Sequence, residues 1–282
     1  MNVLRAKTAG FCMGVGLALK KLDSALARGE SRKISTLGPL IHNPQVLATY
    51  EAKGVVCVED ISALGAEDCV VIRAHGIPRD RESVLRQSGA YVVDATCPKV
   101  KKAQLAIARA TQNGAALLLF GEADHPEVRG LISYAQGPAC VIGANDDLCH
   151  LPIPMDKGLV LASQTTQDRE AFLNLERKAA NLHPQLVVLS TICDATRQRQ
   201  EEARSIAQKV DIMVVVGGRQ SGNTRRLADV VAACGIETVL VETADELDEK
   251  KFQQKACVGL TAGASTPKSL IDMAEARLAA IA

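Results

Sequence analysis

Short, nearly unbroken apolar runs alternate with amphipathic stretches along the chain. β-rich runs fall at Lys33–Leu37, Gly54–Val58, Cys69–Arg73, Tyr91–Asp94, Ala115–Phe120, Ala139–Ile142, Leu159–Ala162, Leu186–Ser190, Ile212–Gly217, Glu237–Leu240 and Ala256–Leu260. Helical patterns lie between many of them, at Val15–Arg28, Pro98–Asn113, Asp168–Asn181, Ala195–Val210, Asn223–Cys234 and Pro267–Ile281. Strands that read as continuous Val, Leu and Ile are buried on both faces, as in parallel sheets. Alternation with helices then requires α/β units joined by right-handed crossovers. No low-complexity segment or long polar linker interrupts the pattern.

A weak internal repeat runs through it. Tyr91-Val-Val-Asp-Ala-Thr-Cys97 resembles Val187-Val-Leu-Ser-Thr-Ile-Cys193, each a strand ending in a cysteine and followed by a helix. Cys12 likewise sits after the opening segment Asn2–Thr8 and before a helix. Three strand-end cysteines thus divide the chain into parts of similar size. Average domain size favours two domains for 282 residues. The repeat favours three small α/β domains, at 1–96, 97–192 and 193–282.

Composition narrows the function classes. A hydrophobic share of 47% with 23% charged residues is that of an ordinary globular protein and excludes wholesale disorder. Lys plus Arg is 33 against 32 for Asp plus Glu, a net charge of +1, so a nucleic-acid partner is not expected. Three tyrosines, four phenylalanines and no tryptophan are too few for base-stacking platforms or a membrane aromatic belt. No apolar run approaches the ~20 residues that span a bilayer, and no signal-peptide apolar core follows Met1. A cytoplasmic protein without membrane attachment is the expectation.

In open parallel sheets, ligands bind at the carboxyl ends of strands, where helix N-termini point their N–H groups. His42, His75 and His125 all lie in strand-to-helix connections, each with a proline close by at the start of the helix. His150 and His183 lie in segments leading into strands, at the opposite edge, and read as surface-loop residues. The same strand-to-helix edge collects Ser163-Gln-Thr-Thr166, Ser221-Gly-Asn-Thr224 and Ala262-Gly-Ala-Ser-Thr-Pro267. Loops of small residues that open helices bind phosphate through backbone N–H groups and short side chains. Taken singly, each is equally a helix N-cap. Gly217–Thr224 nearly matches a phosphate-binding P-loop, but Asn223 stands at the lysine position, which argues against an NTPase.

Nine cysteines are many for a chain without an export signal, and an odd number argues against a disulfide framework. Cys57, Cys69, Cys140, Cys149, Cys234 and Cys257 lie within or beside strands and helices and need no role beyond packing. Cys12, Cys97 and Cys193 lie at strand-to-helix connections, and no Cys-x-x-Cys pair is present. If they converge, three thiolates suit either a [4Fe–4S] cluster with one iron left open or a zinc ion with an open position. Spacing does not separate the two.

Eight ordered motifs carry a resemblance that spans the chain. They are Ala9-Gly-Phe-Cys-Met-Gly-Val15, Leu40-Ile-His-Asn-Pro44, Arg73-Ala-His-Gly76, Asp94-Ala-Thr-Cys-Pro98, Gly121-Glu-Ala-Asp-His-Pro-Glu127, Gln164-Thr-Thr166, Ile192-Cys-Asp-Ala-Thr196 and Thr261-Ala-Gly-Ala-Ser265. Together they closely resemble the 4-hydroxy-3-methylbut-2-enyl diphosphate reductase family, which catalyses the last step of the non-mevalonate isoprenoid pathway. The resemblance implies three α/β units in a trefoil around a central iron–sulfur cavity. It implies a [4Fe–4S] cluster on Cys12, Cys97 and Cys193 with one open iron. His42, His75, His125, Ser221, Asn223 and Ser265 would bind the diphosphate or the allylic alcohol region of the substrate. Thr165 would join the hydroxyl and proton network, and Glu127 would be the proton source. An external one-electron donor of ferredoxin or flavodoxin type is implied as partner. Gly222 departs from the family, which often has a second serine there, and Gln220 stands where the family often has Asn. The contrasting expectations are a non-catalytic Fe–S sensor or carrier and a zinc enzyme acting on a phosphorylated small molecule.

Overall fold

The computed structural model describes residues 1–28, 32–148 and 157–281. Among them, twelve strands and nine α-helices follow one another in chain order. They are β1 (Asn2–Arg5), α1 (Met13–Ala27), β2 (Lys33–Leu37), α2 (Pro44–Glu51), β3 (Val56–Val58), β4 (Asp68–Ile72), α3 (Arg79–Gln87), β5 (Tyr91–Asp94), α4 (Pro98–Ala110), β6 (Ala116–Phe120), α5 (Pro126–Ile132) and β7 (Ala139–Ile142). Then come β8 (Leu159–Ser163), α6 (Arg169–Leu182), β9 (Val187–Val188), α7 (Asp194–Ala207), β10 (Ile212–Val216), α8 (Gly222–Ala232), β11 (Thr238–Val241), β12 (Cys257–Ala262) and α9 (Lys268–Ala280).

The strands form three four-stranded sheets, ordered β3-β2-β4-β5, β7-β6-β8-β9 and β11-β10-β12-β1, and every pairing is parallel. The fold class is therefore α/β with three repeats, as the apolar runs imply. Within each repeat the order is second, first, third, fourth strand. In the C-terminal sheet the fourth strand is β1, where Asn2 pairs in register with Cys257 and Arg5 with Leu260. The division at residue 1 is thus corrected. The repeats are permuted along the chain, and the N-terminal strand completes the C-terminal sheet. A cysteine closes each repeat: Cys97 follows β5, Cys193 follows β9 and Cys12 follows β1. The helix after Cys97 packs on another sheet, with Ala103 and Ile107 of α4 among Leu117 and Leu119 of β6, and so does the helix after Cys193, with Ala203 of α7 against Met213 and Val215 of β10.

By compactness the chain falls into two units. One holds Met1–Val15, His42–Thr49 and Asp194–Ala282, and the other Gly16–Ile41 and Tyr50–Cys193. The apolar runs are explained by two-sided burial. In β10, Ile212, Val214 and Val216 face Ile271, Ala274 and Leu278 of α9, while Met213 and Val215 face Ala203 of α7 and Leu227 and Val231 of α8. In β6, Leu117 and Leu119 join one core, and Ala116, Leu118 and Phe120 join another with Phe172 and Leu175 of α6. The expected strand Leu186–Ser190 shortens to two residues. It is an edge strand, and past Leu189 the chain turns away to be held by Thr191, whose Oγ1 donates to the Ser163 carbonyl at 2.7 Å.

Candidate active site

The shared topology sets three loops per repeat at the carboxyl ends of the strands. A glycine follows every first strand, and its N–H donates to the last residue of the second strand: Gly38 to Val58 (2.8 Å), Gly121 to Ile142 (3.1 Å) and Gly217 to Val241 (2.8 Å). A Cβ at Gly217 would stand 2.5 Å from Thr266 Oγ1, and one at Gly121 2.7 Å from Val128 Cγ2; at Gly38 it would collide with the Arg73 guanidinium. Gly38 and Gly217 also have positive φ, of 71° and 148°. These glycines let the loop after the first strand lie against the loop after the third. The loops after the first strands carry His42, His125 and Ser221 with Asn223. Those after the third carry His75, Thr165 and Ser265, and those after the fourth carry Cys97, Cys193 and Cys12.

The cysteines are held alike. The backbone N–H of Cys97 donates to Ala74 O (2.9 Å), that of Cys193 to Thr165 O (2.9 Å) and that of Cys12 to Ala264 O (3.1 Å), in each case to the third-strand loop of the same repeat. All three are half-buried cysteines directly before a helix. Cys97 is the N-cap residue of α4 with Pro98 next, and Cys12 Sγ accepts from the Val15 N–H at 3.5 Å. A helix start offers N–H groups to a thiolate. Arg199 and Glu202, which brace the loop before Cys12, lie outside the motifs. Arg199 of α7, buried, donates to Thr8 O at 2.6 Å and Gly10 O at 2.7 Å. Glu202, one turn on, accepts from the N–H groups of Lys7 and Thr8 and from the Thr8 hydroxyl. Burial works to raise the Glu202 carboxyl, but these hydrogen bonds prevail and hold it below its ordinary value. Asp94 accepts from Thr96 N at 2.9 Å on the approach to Cys97. A signal for Arg199 and Glu202 existed, two charged residues on the inner face of an amphipathic helix, but not for their partners.

The unit of Gly16–Ile41 and Tyr50–Cys193 gathers a continuous network. The rings of His75 and His125 meet edge to face, 5.1 Å between centroids. His125 caps α5, its Nδ1 accepting from the Glu127 N–H at 3.1 Å, which leaves the proton of a neutral ring on Nε2. Glu127 is 1% exposed, and its Oε1 accepts from the Thr165 N–H at 2.6 Å. Burial pushes this carboxyl up to about 7, against the opposing hydrogen bonds from Thr165. Thr165 in turn holds Cys193. His75, His125, Glu127, Thr165 and Cys193 are therefore brought together as one chain of contacts.

The other unit gathers neutral groups. Ser265 Oγ donates to the His42 carbonyl at 3.1 Å and lies 3.4 Å from Ser221 Oγ. Ser221 caps α8, accepting from Thr224 N, and Gly222 opens that helix. The Nδ2 of Asn223 is buried with no hydrogen-bond partner among the described residues, a donor awaiting an acceptor. Gly263 packs its backbone onto the Thr224 side chain. His183 ends α6, at the edge opposite these loops, as its sequence position implies. His150 and Cys149 lie outside the described residues. No described helix is long and apolar enough to cross a membrane.

Parallel sheets with a buried carboxyl group raised above its ordinary range and hydroxyl-lined helix starts at their carboxyl ends have the make-up of an α/β enzyme. Comparison with known proteins makes the class specific. A family model described as LytB protein matches residues 3–279. A 4-hydroxy-3-methylbut-2-enyl diphosphate reductase of Desulfovibrio desulfuricans is 65% identical over 286 residues, covering 100% of both chains. The reductase of the same name from Nitratidesulfovibrio vulgaris is 57% identical, covering 96% of this chain and 97% of the relative. Among solved structures, the E-1-hydroxy-2-methyl-but-2-enyl-4-diphosphate reductase from Plasmodium falciparum superposes with a TM-score of 0.91 at 26% identity, over 96% of this chain and 86% of that one. The chain belongs to the LytB family and is an oxidoreductase.

Proposed function

We propose that the chain removes the hydroxyl of 4-hydroxy-3-methylbut-2-enyl diphosphate reductively, giving isopentenyl and dimethylallyl diphosphates at a [4Fe–4S] cluster, as the final step of the non-mevalonate pathway. The observation that carries this reading is the cysteine placement: one half-buried cysteine closes each repeat, held by the same backbone bond each time. The donor set fits the cluster, since Cys12, Cys97 and Cys193 offer three sulfurs, one from each of the three repeats among the described residues. Bound there, the cluster supplies single electrons and a Lewis-acidic iron with a position left open.

The chain's own groups supply the rest. The reaction takes the alcohol, two electrons and two protons to the alkene product and water. Hydroxide leaves poorly, so a proton must reach the departing oxygen. Glu127, with its carboxyl raised to about 7, is protonated in a large share of molecules at neutral pH and can give that proton by way of Thr165. His42, His75, His125, Ser221, Asn223 and Ser265 bind the diphosphate and the allylic alcohol region, and the Gly222 N–H serves where the family often has a serine. Imidazoles, an amide and hydroxyls bind a diphosphate without a large basic patch, in keeping with the net charge of +1. The electrons come from a carrier protein of ferredoxin or flavodoxin type, in the cytoplasm.

Anaerobic iron and sulfide analysis of the purified protein, with turnover of the diphosphate substrate, tests this. A brown protein with about four irons, losing most of its iron in Cys97→Ser, is the expected result. Stoichiometric zinc without iron overturns it in favour of a zinc enzyme; iron without turnover favours a sensor or carrier.

A further inference from the structure

An open groove of about 580 Å³ runs between α1 and α4. Lys21 of α1 and Lys101, Lys102 and Arg109 of α4 line it, against a single carboxylate, Asp94. That carboxylate is already engaged: Thr96 N donates to it, and Lys101 stands 3.9 Å away. Lys102, Leu105 and Arg109 are exposed on one face of α4, with Leu105 47% accessible. Neither Lys102 nor Arg109 is paired with an acid among the described residues. The whole chain carries only +1, so this concentration of cations is local. Thr96 and Pro98 line the groove as well, and the residue between them is Cys97.

We propose that this groove docks the acidic electron-carrier protein that reduces the enzyme, an inference resting on the reductase reading above. The charge fits a carrier with a carboxylate-rich rim around its redox centre. Leu105 gives the apolar contact that a small, transient redox interface centres on. A carrier seated here lies against Thr96 and Pro98, the residues on either side of a proposed cluster ligand. It delivers one electron per encounter and leaves oxidised, and two encounters supply the pair that the reaction consumes. Exposed charges steer such encounters and release the partner quickly, which suits a carrier that must dock twice per turnover.

The test compares cluster-loaded wild type with the double variant Lys102→Glu, Arg109→Glu, using a reduced bacterial ferredoxin as probe. Titration of the ferredoxin should show its Kd rising about tenfold or more in the variant. The wild-type affinity should weaken from about 50 to about 300 mM salt while that of the variant responds little. Turnover at limiting ferredoxin should fall in parallel, and turnover driven by reduced methyl viologen should hold. An unchanged ferredoxin Kd overturns the proposal, as does an equal loss with viologen. A wild type that binds ferredoxin at this groove but never turns over the diphosphate, even with viologen, overturns the reductase reading and leaves the docking surface standing.

Discussion

The repeat built on β6–β9 and the one built on β10, β11, β12 and β1 share strand order, a glycine after the first strand and a cysteine after the fourth. Their loops hold opposite chemistry. The first buries a carboxylic acid at Glu127 beside an imidazole and Thr165. The second presents two serine hydroxyls and an unsatisfied amide, all neutral. The scaffold sets where a side chain stands; burial and loop content set whether it moves a proton or holds an anion. Desolvation decides the first case, because a carboxylate shut off from water keeps its proton.

The largest expected effect breaks the comparison on the acid side. Glu127→Gln should lower turnover by about 10²–10⁴-fold, the usual worth of a placed general acid, with iron content and substrate affinity retained. Wild-type turnover should decline as pH rises through about 7, and the variant should lose that limb. Near-normal turnover in the variant would remove Glu127 from the proton path.

The same carboxyl should be visible in stability. It titrates at about 7 folded against an ordinary value of 4.5. Across that window the folded protein keeps a proton that the unfolded chain has released, so stability falls as pH rises. Denaturant titrations should show Glu127→Gln gaining on wild type between pH 4.5 and 8 by on the order of 2–3 kcal/mol. A difference independent of pH would mean that the carboxyl is ionised when folded.

The glycines sharpen what the repeats share. Gly121→Ala and Gly217→Ala should each cost about 1–3 kcal/mol in denaturant titrations, since each inserts a methyl group against packed side chains. A large cost in one repeat and none in the other would show that the scaffolds differ. The smallest effect falls on the neutral side. Ser221→Ala should raise the KM for the diphosphate about fivefold to tenfold, the worth of one ordinary hydrogen bond of about 1 kcal/mol, with kcat and its pH profile unchanged. A changed pH profile would instead place Ser221 in the proton path.

Much of this was legible in the chain. Val214, Val215 and Leu117 to Leu119 sit in runs without a polar break, and two-sided burial is the only folded home for such a run. Prolines and histidines after strands marked the loops, and three cysteines marked the repeat. The glycines Gly38, Gly121 and Gly217 follow three of those runs and mark the same repeat, but only the bond each makes to the neighbouring strand shows that they are equivalent. The partner of β1 was not legible. Four residues of alternating exposure satisfy any open sheet edge, and only the folded chain shows that the edge lies beside β12. Nor does sequence reveal that Arg199 holds Thr8 and Gly10, because a buried arginine and two carbonyls so far apart in the chain share no local pattern.

By itself, then, the sequence determined the α/β class, the places where strands hand over to helices, and which loops carry cysteine, histidine and hydroxyl. These follow from local periodicity and backbone preference, which each segment carries with it. The tertiary structure alone decided that the N-terminal strand closes the last sheet, that each cysteine hangs on a third-strand loop, and that burial raises the Glu127 carboxyl to about 7. Those outcomes depend on which distant segments exclude water from one another, and exclusion of water is a property of the packed chain rather than of any stretch of it.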